Sequence, residues 1–98
     1  VRITLQVSYG SDIDKVKKLL KNIAVENSNV IDHPEPRVRF REFADSGLKL
    51  QLLFWIYKPE IRGRTVDSVN TEIYKRFAQN SISIPFPTMN VILPKERE

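Results

Sequence analysis

An α+β sandwich, with two helices on one face of an antiparallel sheet, is the fold class that this 98-residue sequence predicts. Three observations predict it. Apolar and polar residues alternate with a period of two over residues 1–9 and residues 48–57 read as a long strand, apolar residues recur at helical spacing over 13–24 and 66–78, and the segments run β-α-β-β-α-β. A chain of this length closes one modest core, so residues 1–98 are expected to form a single domain.

In the first strand Val1, Ile3, Leu5, Val7 and Tyr9 form one row, and Arg2, Thr4, Gln6 and Ser8 the other. The apolar row faces the core. Gly10 and Ser11 break the pattern, and Ser11 with Asp14 three places on predicts a capping box with Asp in place of the usual Glu. The first helix, about residues 12–26, puts Ile13, Val16, Leu19, Leu20, Ile23 and Ala24 on one face and Lys15, Lys17, Lys18 and Lys21 outward, and Asn27-Ser28-Asn29 ends it. Two prolines make Asp32-His33-Pro34-Glu35-Pro36 a loop.

Residues 37–44 and 48–57 read as the second and third strands, and Asp45-Ser46-Gly47 between them predicts a hairpin turn in which Gly47 supplies a positive φ. Arg62-Gly63-Arg64 reads as a connection. The second helix carries the stripe Val66, Val69, Ile73 and Phe77, joined by Tyr74 and Ala78, and ends near Asn80 as a left-handed cap. Prolines two apart in Ile84-Pro85-Phe86-Pro87 remove amide donors from one edge, so the string is a rigid extended segment. Met89, Val91 and Leu93 mark a last strand, making residues 85–98 an extended arm and terminal strand. This order packs most simply as a ferredoxin-like sandwich.

Composition removes several chemistries. Without cysteine there is no disulfide framework, thiolate chemistry or cysteine-ligated zinc. The longest apolar run, residues 52–57, falls far short of the roughly 20 residues that span a bilayer, and the amino end does not read as a signal peptide. His33, the only histidine, sits beside Asp32, and adjacent residues rarely aim at one substrate atom; it reads as a surface residue. Gly10, Gly47 and Gly63 lie too far apart for a phosphate loop, and the acidic residues fall at neither calcium-loop nor paired-carboxylate spacing. The expectation is a protein that is not an enzyme, with no catalytic residue, metal site or cofactor. The net charge of +4 reads as spread over both helices and several strands.

Helices on one side leave the other side of the sheet bare. With Leu48, Leu50, Leu52, Phe54 and Ile56 inward, Lys49, Gln51, Leu53, Trp55 and Tyr57 point away from the core. Strand two adds Arg37, Arg39, Arg41 and Phe43 if Val38 and Phe40 point inward. Leaving Leu53, Trp55 and Phe43 in water forfeits several kcal/mol of burial, so these residues ask for cover. Loops or chain ends could supply it. Two outside partners also fit: single-stranded RNA stacked on the aromatics, or another copy of the chain. The first strand offers RNA no stacking ring. A third reading is a regulatory module that binds a small metabolite at a dimer interface.

The string Val7-Ser8-Tyr9-Gly10-Ser11-Asp12-Ile13-Asp14-Lys15-Val16 is similar to the motif that opens the cytosolic α/β domain of the small-conductance mechanosensitive channel (MscS) family. Pro36-Arg37-Val38-Arg39-Phe40-Arg41-Glu42-Phe43 with Asp45-Ser46-Gly47-Leu48 resembles its central hairpin, and Phe54-Trp55-Ile56 the continuation. Ile82-Ser83-Ile84-Pro85-Phe86-Pro87 resembles its Ile-x-Ile/Phe-Pro-aromatic-Pro signature. The resemblance implies a tension-gated channel that releases ions and small solutes in hypoosmotic shock. Its domains would form a heptameric cytosolic cage with side portals, beneath a pore in the cell inner membrane built by helices missing from this chain.

By the same resemblance, the segment after the Pro-aromatic-Pro string joins a β-barrel between subunits, so the last strand is exchanged. The implied subunit interface comprises Phe43, Leu53, Trp55, Pro85, Phe86, Pro87, Met89 and Val91. Glu42 matches a position at the portal rim, and Arg2 lies at a nearby edge where other members carry an acid. Thr88 replaces a common glutamine, and Pro94 shortens the barrel strand. No nucleic acid is expected as a partner.

Overall fold

The computed structural model describes residues 1–85. The expected last strand, with Phe86, Pro87, Met89 and Val91, lies outside the described residues. The elements run β1 (Arg2–Val7), α1 (Ile13–Glu26), β2 (Arg37–Phe43), β3 (Leu48–Leu53), a 3-10 turn (Pro59–Ile61) and α2 (Arg62–Gln79). The sheet is antiparallel in the order β1-β3-β2, so the hairpin partner β3 is central and β1 and β2 are its edges.

The core lies between one face of that sheet and the two helices. Val7, Leu48, Leu50, Leu52 and Phe54 meet Val16, Leu20, Ile23 and Ala24 of α1 and Val69, Ile73 and Phe77 of α2, all buried. The period-two reading of β3 holds at each position, because its inward residues are buried and those between them are half-buried. The strand is shorter than expected. After Leu53 the ladder continues only through a reciprocal pair, Phe54 N to Val1 O at 3.0 Å and Val1 N to Phe54 O at 2.7 Å. Beyond it the loop after α1 takes over the chain, with Ile31 N donating to Trp55 O at 2.8 Å and Val30 bridging Ile56.

Asp12, not Ser11, caps α1: its carboxylate accepts the Lys15 amide at 3.2 Å, while the Ser11 hydroxyl turns back to the Ser8 carbonyl at 2.7 Å. Gly10 takes φ 93° and makes the turn before the cap. Gly47 does a different job from the one its place in the turn suggests. It has no positive φ; a Cβ there would overlap the Val7 carbonyl and stand 3.0 Å from Cγ of Pro85, so only glycine lets three segments approach.

The second helix begins earlier than expected, and Arg62-Gly63-Arg64 forms its first turn. Its buried stripe is Thr65, Val69, Ile73 and Phe77, while Tyr74 and Ala78 lie exposed. Thr65 replaces Val66 in the stripe because its hydroxyl is satisfied inside the helix, donating to the Ile61 carbonyl at 2.7 Å. The helix ends in a Schellman motif. Ile82 N donates to Phe77 O at 2.9 Å, Ser81 N to Ala78 O at 3.4 Å, and the left-handed residue is Ser81 at φ 57°, where Asn80 was expected.

Candidate functional site

Cross-strand partners point to the same side of a sheet, so the register gives the composition of the bare face row by row. Arg2, Leu53 and Arg37 form one row; Thr4, Gln51 and Arg39 form the next; Gln6, Lys49 and Glu42 form the third. Leu53 is the sole apolar residue in these rows, and none of them is aromatic. Apolar surface therefore does not make the face of the strands sticky, and the stacking platform that single-stranded RNA needs is absent from it.

The expectation for Phe43 failed on a β-bulge. Between Phe40 and Glu42 the register of β2 against β3 shifts, so Arg41 is the extra residue. Glu42 then pairs with Lys49 on the bare face and Phe43 with Leu48 on the helix-bearing side. Strict alternation puts them the other way round. The Phe43 ring stands edge-on to Phe40, with centroids 5.2 Å apart, yet is 74% exposed at the rim of the core. No local signal marks the bulge in the sequence.

The bulge also sets the surroundings of Glu42, whose exposed carboxylate lies 4.0 Å from the ammonium of the half-buried Lys49. Arg2 is exposed on the same face at the far end of β1. The two are separated by about 13 Å along the strands and about 10 Å across them. One chain does not bring them together.

Large exposed apolar groups gather at the perimeter instead. Tyr9 lies at the hairpin end, its hydroxyl donating to the Ala44 carbonyl; Trp55 and Tyr57 follow β3 at the opposite end; Tyr74 and Ile84 flank the end of α2. Trp55 is 39% exposed and so partly covered by its own chain, and Leu53 is half-buried. Pro85 packs half-buried over Gly47, and Ser83 O accepts Ser8 N at 2.9 Å, which carries the chain leaving α2 to the end of β1.

His33 is exposed, and no group of His, Cys, Asp and Glu among the described residues is arranged to hold a metal ion. Among the described residues an ionic cluster joins the helices: Arg76 donates to Glu26 of α1 and, at 2.9 Å, to Glu72 on its own helix. The hydrogen bond from Arg76, and then its charge, hold the Glu26 carboxyl below its ordinary value. The three side chains clamp the two helices together.

Comparison with known proteins assigns the fold and the family. Residues 1–84 match the family described as mechanosensitive ion channel MscS, C-terminal. The chain is 32% identical over 98% of its length to the large-conductance mechanosensitive channel MscMJLR of Methanocaldococcus jannaschii, covering 28% of that protein. It is 38% identical over 97% of its length to the mechanosensitive channel MscK of Escherichia coli, covering 8% of it. In structure it is similar to the closed-state crystal structure of Helicobacter pylori MscS, with a TM-score of 0.82 at 20% identity over 98% of the chain and 38% of that one. The chain thus spans well under half the length of these relatives.

Proposed function

The chain belongs to the family of MscS mechanosensitive ion channel C-terminal domains, and from that premise we propose that it is a cytosolic wall segment of a tension-gated channel releasing ions and small solutes in hypoosmotic shock. The observation that carries the reading is the match over residues 1–84, which takes in every described element. The family is one of channels, not enzymes. In this reading the pore lies in segments the relatives have beyond the matched length, since no described helix is long and apolar enough to cross a membrane.

The role suits a domain whose apolar residues collect at its rims. Copies arranged head to tail around an axis bury different patches of each neighbour, and a closed ring, here a heptamer, leaves the polar face of the sheet to water. Leu53, Trp55, Phe43 and Pro85, continued by Phe86, Pro87, Met89 and Val91, are the contacts we assign to neighbouring subunits. In such a ring one copy's Arg2 end can meet its neighbour's Glu42 end. The opening between them would carry opposite charges, partly neutralised by Lys49. The ring would sit on the cytoplasmic side of the inner membrane, and nucleic acid plays no part.

Expression of the full-length protein in bacteria stripped of their own mechanosensitive channels tests this. Survival after osmotic downshock should rise above that of cells with empty vector. Survival no better than the vector control, with the protein present in the membrane, would count against it.

A further inference from the structure

A groove of about 390 Å³ runs along the outer edge of β2 where α1 passes it. It is lined by Lys17, Lys18 and Lys21 of α1, by Arg37 and Arg39 of β2, and by Glu35 before the strand. Five cations and one carboxylate leave a local excess of four positive charges, which equals the formal net charge of the whole chain. The remaining residues sum to no net charge, so basic character read as diffuse in the sequence is concentrated in this groove. Lys21 pairs with Glu35 at 3.4 Å; Lys17, Lys18, Arg37 and Arg39 have no carboxylate partner among the described residues.

We propose that this groove binds an acidic, extended polypeptide segment that adds to β2 as a further strand. β2 is an edge strand, so every second residue presents amide and carbonyl groups that pair with nothing in the sheet. The cations flank that edge from the helix and from the strand itself, where they meet the side chains of an added strand. A second copy of β2 does not fit, because self-pairing sets arginine against arginine. Single-stranded RNA is disfavoured, because no aromatic residue lines the groove and there is no ring for a base to stack on.

A short synthetic peptide of alternating glutamate and valine, labelled with a fluorophore, tests the proposal by anisotropy against the 98-residue chain at low salt. Binding should appear and weaken as salt rises. The double variant Lys17→Glu, Lys18→Glu should weaken it about tenfold or more, while Lys58→Glu with Lys75→Glu, away from the groove, should change it less than about twofold. Thermal melts of both variants confirm folding. A peptide N-methylated at alternate residues keeps its charge but cannot pair as a strand, and should also bind about tenfold more weakly. Absence of binding at low salt, equal binding of the methylated peptide, or tighter groove-dependent binding of oligouridylate would each overturn the proposal.

Discussion

Arg76 holds two carboxylates at once, Glu72 one turn back on α2 and Glu26 at the end of α1. Because the Glu26 carboxyl is held below its ordinary value, its contribution is present above the unfolded carboxylate's pKa and is lost as pH falls through the lowered folded value. The gap in melting temperature between the native chain and Glu26→Gln should therefore narrow from neutral pH to about pH 3, as followed by circular dichroism. A gap that persists unchanged in acid would mean the pair is not what Glu26 contributes. Ser81 gives the other test at this scale. A side chain in the left-handed region is strained, so Ser81→Gly should raise stability by about 1 kcal/mol in urea unfolding. Sequence patterning missed Ser81 and Thr65 for related reasons: Asn is the commoner left-handed residue, and a buried hydroxyl is invisible until its carbonyl acceptor is placed.

At the scale of elements, the alternation in β3 was legible because both neighbouring strands pair along its whole length and one face is buried throughout. The alternation in β2 was legible only to Phe40, where one inserted residue reverses the side to which everything after it points. The reversal has an energetic consequence. Phe43, 74% exposed, makes an edge contact with Phe40, whereas Phe54 is fully buried in the core. Phe43→Ala should cost about 1 kcal/mol in the isolated chain, and Phe54→Ala about 3–5 kcal/mol. Urea denaturation curves check both, and equal costs would contradict this placement of Phe43. The sequence pattern overextends β3 because the apolar run of residues 52–57 continues after its ladder partners have ended, and sequence alone does not show where a partner stops.

For the whole molecule, the described residues form a two-layer domain with an edge strand on each side of the sheet and apolar groups at its rims, the features that the proposed ring would use. The strings Val7-Ser8-Tyr9-Gly10-Ser11-Asp12 and Asp45-Ser46-Gly47 made the family legible, and the structure gives physical reasons for two of their residues: Gly10 turns at positive φ, and Gly47 makes room for the Val7 carbonyl. The subunit contacts proposed for the rims have no signal of this kind, since they would depend on copies that a single chain does not contain. Patch recording from the full-length protein reconstituted in lipid vesicles tests the central claim most directly. The account predicts a current that is silent at rest and opens as suction raises bilayer tension; a protein that is inserted and folded yet carries no tension-activated current would contradict it.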